Sequence, residues 1–203
     1  MTDVSMRILA NRARDVIVAE AETLTALDQA IGDGDHGINM RRGFEAIATE
    51  ADALAELPHG QALSKAGMKL VTTVGGASGP LYGSLLMGIG KALEGGASLE
   101  EALGAGVELV KKRGKSDVGA KTMLDVLVPT LAALERTADQ PTPARISTVR
   151  DAARNAREAT RDMRATKGRA SFLGERSIGH YDPGATSALL LIEMTLDVWG
   201  EHP

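Results

Sequence analysis

The sequence predicts an all-α fold, an antiparallel bundle or barrel of eight helices. Three observations carry this expectation. Segments rich in Ala, Leu, Glu, Arg and Met, all good helix formers, alternate with glycine clusters at 32–37, 75–83, 95–96, 114–119 and 168–184. Apolar residues recur at helical spacing inside these segments. No stretch alternates polar and apolar residues for long. The β-branched run Val71–Val74 is the one candidate strand, and it is short and isolated.

The first helix is expected over 4–29, with Met6, Leu9, Ala13 and Val16 on one face and Leu24 and Leu27 extending it. Helices at 38–56, 60–73 and 80–93 follow, divided by the glycine clusters. Ser98 and Glu101 form a capping box that opens a helix over 99–112. In 121–136 the apolar face runs through Met123, Val126, Leu127, Thr130, Leu131 and Leu134, and Pro129 is expected to bend it. Thr137–Pro143 reads as a polar loop leading to a helix over 144–165. Asp182 and Pro183 make an N-cap and first turn for a last helix over 184–199. Its near-continuous apolar stretch 188–192 suggests burial on most sides. There is no internal repeat and no convincing linker, so 1–203 reads as a single domain.

Composition narrows the function. The 203 residues are 43% hydrophobic and 25% charged, as in an ordinary globular protein. No apolar run approaches a membrane span, and Asp3, Arg7 and Asn11 interrupt any secretory signal, so a cytoplasmic location is expected. With no cysteine there is no disulfide, zinc–thiolate site or thiol nucleophile. A net charge of −4 and 2% aromatics argue against nucleic acid and anionic membranes as partners.

The sharpest local signal is Asp28-Gln-Ala-Ile-Gly-Asp33-Gly-Asp35-His36-Gly37. Three carboxylates this close repel unless a cation or protons neutralise them. Oxygen ligands suit Mg²⁺ or Ca²⁺, but an EF-hand fails because Phe44 stands where its twelfth-position Glu belongs. Mg²⁺ typically takes one or two carboxylates plus phosphate oxygens, so the loop reads as half of a metal–phosphate site. A solvated Asp–Gly turn fits the same residues. His36 beside an all-oxygen set reads as a hydrogen-bonding residue. Asn39 sits in the next helix's first turn, where free N–H groups favour anions; a plain polar first-turn residue fits equally.

Gly75-Gly-Ala77-Ser78-Gly-Pro80 lacks the Lys of a phosphate-binding P-loop and the Gly spacing of a dinucleotide fingerprint. Alone it reads as a helix connector, with Ser78 able to cap a helix or donate to an anion. Lys121 and Thr122 can meet phosphate and Met123 can pack on a purine, although a basic helix end followed by a capped start fits too. Asp182 is either a cap or a ligand. Arg150, Arg154, Arg157, Arg161 and Arg164 make a basic stripe, best read as a solvated face paired with Glu158 and Asp162.

Four motifs in order then give a family resemblance. They are Ile31-Gly-Asp-Gly-Asp-His-Gly37 with Asn39, Val74-Gly-Gly-Ala-Ser-Gly-Pro80, Lys121-Thr-Met-Leu-Asp125, and Lys167-Gly-Arg-Ala-Ser171 through Gly174–His180 to Asp182-Pro-Gly-Ala185. Over essentially its whole length the chain resembles the nucleotide-binding L subunits of dihydroxyacetone kinases. The resemblance implies an eight-helix barrel with nucleotide held by loops at one end. It implies that Asp28, Asp33 and Asp35 bind two Mg²⁺ ions. It places His36, Gly37, Ile38, Asn39, Ala77, Ser78, Gly114, Met123, Arg169, Asp182, Pro183 and Gly184 around ADP or ATP. Relatives usually carry an acid just before Lys-Thr-Met, where this chain has Ala120. His36 stands where related fatty-acid kinase domains commonly have Thr, which favours the dihydroxyacetone branch.

The implied activity is phosphoryl transfer by a kinase that works only with a partner. A K subunit would hold dihydroxyacetone covalently through its own histidine. In the phosphotransferase-system version, a phosphohistidine on an M subunit recharges bound ADP. No residue of this chain stands out as a catalytic group, and a homodimer is an admissible assembly. The alternatives are an L subunit using exchangeable ATP on dihydroxyacetone or another short ketose, and a nucleotide-sensing regulatory module.

Overall fold

A computed structural model describes residues 5–202, and residue 4 of the expected first helix lies outside them. Among the described residues there are ten α-helices and no strand. They are α1 (Met6–Ala19), α2 (Ala21–Ile31), α3 (His36–Ala48), α4 (Ala51–Ala55), α5 (His59–Thr73), α6 (Ser78–Glu94), α7 (Leu99–Gly114), α8 (Leu124–Arg136), α9 (Thr142–Ala159) and α10 (Pro183–Glu201). The helical-bundle expectation holds, and the extra helices come from two breaks. The segment 4–29 divides at Glu20, and 38–56 divides at Thr49–Glu50, where single residues leave helical geometry.

Other boundaries also move. Val71–Thr73 closes α5 and forms no strand. The helix expected from 121 begins at Leu124, because Lys121 adopts a left-handed backbone with φ of 60°. The helix expected to reach 165 ends at Ala159, followed by a 3₁₀ turn at Thr160–Asp162 and a longer 3₁₀ segment at Arg169–Ser177. The capping box at Ser98 and Glu101 forms as expected, with both reciprocal bonds present. Asp182 caps α10 by accepting from the Ala185 N–H at 2.7 Å. The stretch 188–192 is only half-buried past Ala188, since α10 packs one side on the core.

The main core runs from Met6 and Ile17 through Phe44, Leu70, Tyr82, Val107 and Leu124 to Ala188. With two Phe, two Tyr and one Trp in the whole chain, it is filled by aliphatics. That composition works because α5, α6 and α7 approach backbone to backbone. A methyl on Gly67 would lie 2.7 Å from the Gly83 carbonyl, and one on Gly88 2.7 Å from the Gly106 Cα. Small residues at these crossings replace the bulk that would otherwise separate the helices.

A second cluster around Trp199, Val149 and Leu134 closes the end away from the acidic loop. A third, Ile31, Ala165 and Ala170, seats the 3₁₀ segment against the end of α2 and so beside the acidic residues. The arginine stripe of α9 bonds mainly to α10: Arg150 donates to Asp197 at 2.7 Å and Arg154 to Glu193 at 2.5 Å. Among the described residues, no helix is long and apolar enough to cross a membrane.

Candidate functional site

Asp28, Asp33 and Asp35 each offer an oxygen within 4.8 Å of the other two. Asp28 is buried in the last turn of α2, while Asp33 and Asp35 are exposed in the loop. The Asp28 Oδ2 accepts from the N–H groups of Asp35 at 2.9 Å and His36 at 3.1 Å. A carboxylate from one helix therefore caps the N-terminus of the next, where backbone donors and the helix dipole favour negative charge. The other oxygen, Oδ1, lies where a methyl on Gly32 would meet it at 2.0 Å, so a side chain at 32 would push the Asp28 carboxylate aside. Asp33 receives the Arg169 Nε at 3.0 Å.

His36 is buried and bonded on both ring nitrogens. Its Nδ1 lies 3.0 Å from the Ser78 Oγ and its Nε2 2.9 Å from the Ser187 Oγ. Ser187 lies 2.7 Å from the Tyr82 hydroxyl, and both hydroxyls reach the Gly184 carbonyl. Burial lowers the pKa of the imidazole, against the opposing pull of Asp28, Asp35 and the Pro183 carbonyl. Burial likewise raises that of the Tyr82 phenol.

The glycine loop lies against the acidic loop. A methyl on Gly75 would stand 3.2 Å from the Asn39 Oδ1, and one on Gly76 4.0 Å from the Asp35 Oδ2. Ala77 and Ser78 open α6 at this point, so the N-termini of α3 and α6 meet. Gly184, at the start of α10, lies beside the Met123 backbone; a methyl there would be 3.5 Å from the Met123 nitrogen. Asp182 is buried, and desolvation together with the nearby charges of Asp125 and Asp28 pushes its carboxyl up to about 7.

The loop before α8 is organised from within. Asp125 accepts from the Gly119 N–H at 2.5 Å and the Thr122 N–H at 2.7 Å. Lys121, 1% exposed, points inward and gives its three protons to the carbonyls of Met163, Ser177 and His180 at 3.1, 2.5 and 2.6 Å. Burial lowers its pKa. The reading of Lys121 as a phosphate ligand is thus corrected, because its donors are used up as an internal strut. Met123 is 4% exposed and belongs to the core, so its side chain offers no open face to a purine.

The expected residues Asp28, Asp33, Asp35, His36, Gly37, Asn39, Ala77, Ser78, Arg169, Asp182, Pro183 and Gly184 gather at one end of the bundle. Ile38 stands at the rim, 54% exposed. Gly114 is one step removed: it ends α7 and a methyl there would meet Leu81, one turn along α6 from Ser78, at 3.4 Å. Ala120 is buried, and its carbonyl accepts from the Thr166 N–H at 3.1 Å. Sequence reasoning missed Tyr82 and Ser187. The signal was there: each is a polar residue one turn inward from a loop residue, Ser78 and Gly184 respectively. Two open clefts, of about 670 and 640 Å³, are lined by none of the three aspartates. Asp33 and Asp35 are exposed in the loop, with Asp28 buried beside them.

These residues fit a hard divalent cation and a phosphate chain. The convergent donors are all carboxylate oxygens, and the N-termini of α3 and α6 adjoin them through the glycine loop. Fold and site together define a helical bundle with a polyanion-binding loop end. The chain belongs to the DAK2 domain family, which matches residues 30–197. It is 42% identical over 190 residues to the PEP-dependent dihydroxyacetone kinase, ADP-binding subunit DhaL of Escherichia coli, covering 90% of each chain. It is 44% identical over 179 residues to the ADP-binding subunit DhaL of PEP-dependent dihydroxyacetone kinase 1 of Listeria innocua, covering 86% of each. Among solved structures it matches the dihydroxyacetone kinase from C. freundii in complex with AMP-PNP and Mg²⁺, with a TM-score of 0.77 and 26% identity. That match covers 97% of this chain and 34% of the kinase, so the chain spans about a third of that protein.

Proposed function

We propose that the chain is the Mg²⁺–ADP/ATP-binding subunit of a dihydroxyacetone kinase, passing a phosphoryl group through its bound nucleotide. The single observation that carries this is the convergence of Asp28, Asp33 and Asp35 within 4.8 Å beside the N-termini of α3 and α6. The ADP-binding relatives of nearly equal length support it. In this reading the three aspartates hold two Mg²⁺ ions. His36–Asn39, Ala77, Ser78, Gly114, Met123, Arg169 and Asp182–Gly184 surround the nucleotide, with Met123 contributing from its backbone. Residues 1–203 act as one nucleotide-binding unit in the cytoplasm, and a homodimer is compatible with it.

Phosphoryl transfer needs positioning and charge neutralisation more than covalent help from the protein. Mg²⁺ bound here supplies neutralisation of the phosphate oxygens and a fixed geometry for them. The chain's own part is to hold. Asp28 fixes the start of α3 while offering its second oxygen inward. The N-termini of α3 and α6 present backbone donors to the phosphates. Arg169 brings a cation to the rim. The relatives are ADP-binding subunits, and in this reading a dihydroxyacetone-binding K subunit supplies the acceptor. A phosphohistidine-bearing M subunit recharges ADP.

A second reading is favoured by the C. freundii match, in which this fold is a third of a kinase crystallised with an ATP analogue. In this second reading the nucleotide would exchange freely and no M subunit would be needed. Calorimetry with ADP and Mg²⁺ tests what both readings share. The wild-type chain should bind ADP only with Mg²⁺, and Asp33→Ala and Asp35→Ala should lose that binding while remaining folded. Unchanged affinity in both variants would sink the metal assignment.

A further inference from the structure

Ser78 is the one side-chain hydroxyl at the junction of the two helix N-termini, and its usefulness to an anion depends on where its proton points. A serine whose proton is taken by a neighbour can only accept. One that accepts from that neighbour keeps its proton free for a phosphate oxygen. The neighbour is the His36 Nδ1 at 3.0 Å. A neutral imidazole carries its proton on one nitrogen, so the far nitrogen decides the matter. That nitrogen, Nε2, faces Ser187, which faces Tyr82.

Counting protons leaves two arrangements. In the first, Ser187 donates to the Gly184 carbonyl at 3.1 Å and accepts from the His36 Nε2–H. Nδ1 is then bare and takes the Ser78 proton, so Ser78 has nothing to give a phosphate. In the second, Ser187 donates to Nε2, Nδ1–H donates to Ser78, and the Ser78 proton is free. This second arrangement leaves the buried Ser187 oxygen without a donor unless something donates to it. Tyr82, at 2.7 Å, is placed to do so. Ser187 is 0% exposed and Tyr82 3%, so water cannot replace either.

We propose that Tyr82 and Ser187 are positioning residues that hold His36 as its Nδ1–H tautomer in the nucleotide complex and thereby aim the Ser78 proton at phosphate. The relay reaches from α10 through α3 to α6, so it also ties the Asp182–Gly184 turn to the glycine loop. Removing the Tyr82 hydroxyl leaves the second arrangement one hydrogen bond short and favours the first. Removing the Ser187 hydroxyl takes away the donor to Nε2 on which the second arrangement depends.

The inference rests on the nucleotide-binding reading, and the test separates the two. Calorimetry with ADP and Mg²⁺ on the full chain compares wild type, Tyr82→Phe, Ser187→Ala, Ser78→Ala and the double variant Tyr82→Phe/Ser78→Ala. Absent binding by the wild type defeats the nucleotide reading itself. With wild-type binding intact, Tyr82→Phe and Ser187→Ala should each weaken affinity about tenfold, roughly one hydrogen bond to a charged group. Adding Tyr82→Phe to Ser78→Ala should cost nothing more, whereas a merely structural role would cost the same in both backgrounds. Nitrogen-15 spectra of the histidine-labelled chain, with His36 assigned by its loss in His36→Asn, should show Nδ1–H with ADP–Mg²⁺ in wild type and Nε2–H in Tyr82→Phe. Equal affinity in Tyr82→Phe, an additive double variant, or Nε2–H in the wild-type complex would each overturn the proposal.

Discussion

Arg169 Nε lies 3.0 Å from Asp33 Oδ2, joining the 3₁₀ segment to the acidic loop. Both side chains are substantially exposed, so the pair contributes little to folding. Its weight is local. It offsets one of three clustered negative charges, which would otherwise repel with no cation between them. Mg²⁺ bound at Asp33 as proposed would compete with the guanidinium, which would then be available to a phosphate.

This competition predicts effects of opposite sign for one substitution. Arg169→Gln should raise the affinity for Mg²⁺ alone severalfold, because a competitor for Asp33 is gone. It should lower the affinity for ADP in the presence of saturating Mg²⁺, because a cation near the phosphates is gone. Titrations monitored by calorimetry read both. Two shifts in the same direction would mean that Arg169 neither competes with the metal nor meets the nucleotide.

Asp182 predicts a pH dependence. Its carboxyl sits at about 7 in the fold against 3.8 ordinarily, chiefly because burial disfavours the charge. A raised folded-state pKa means the fold gains from protonation below the ordinary value and loses that gain as pH rises through about 7. Asp182→Asn keeps an oxygen for the Ala185 N–H and has no proton to lose. Urea unfolding of both proteins should therefore show the variant gaining on wild type by about 2–3 kcal/mol between pH 5 and pH 8. Comparing the two at each pH cancels the titration of His36, whose lowered pKa acts in the opposite sense. A gap that stays constant across this range would show that Asp182 is ionised throughout.

Much of this was legible in the sequence, and the reasons are physical. The capping box at Ser98 and the Asp182–Pro183 start are local signals, so spacing sufficed. The acidic loop was legible because repulsion between three nearby carboxylates demands an explanation whatever the fold. The glycines of α5, α6 and α7 were less so. In a one-dimensional reading they weaken helices, and only the packed bundle shows that Gly67 and Gly83 let two backbones touch. The inward role of Lys121 was hidden for the same reason. Its three acceptors lie 42 to 59 residues away in sequence, and no motif announces a lysine that is bonded entirely to backbone. The break at Glu20 also had no sequence warning, since neither Gly nor Pro marks it.

The close helix crossings predict opposite outcomes for the same change two residues apart. A methyl on Gly106 would meet the Leu85 carbonyl at 2.7 Å, and backbone cannot swing aside as a side chain can. Gly106→Ala should destabilise the chain by about 1–3 kcal/mol despite the better helix propensity of alanine. A methyl on Gly104 would find only Leu131 at 3.7 Å, an ordinary contact. Gly104→Ala should therefore stabilise by up to about 1 kcal/mol. Thermal melts of the two variants decide it. Equal and small shifts would mean that α6 and α7 are not in backbone contact.

The last prediction separates a fixed ADP coenzyme from an exchangeable ATP. Alone, the chain should not phosphorylate dihydroxyacetone, because its loop end offers carboxylates, helix N-termini and one buried, doubly bonded histidine, and no group for a ketone. Mixed with a K subunit, ATP-loaded chain should transfer one phosphoryl group. Further rounds depend on release. In the proposed site the three aspartates would hold the phosphates through metal, with the glycine loop and Arg169 beside them, which argues for slow exchange. Against this, Asp33 and Asp35 are exposed, which leaves two of the three acids open to solvent. The clamp would be the stronger term, because Mg²⁺ held by the aspartates would neutralise the nucleotide at its most anionic part. Excess ATP with K and no M should thus give about one product per chain, and adding phosphorylated M should restore turnover. Many turnovers without M would assign the chain to the ATP-dependent reading.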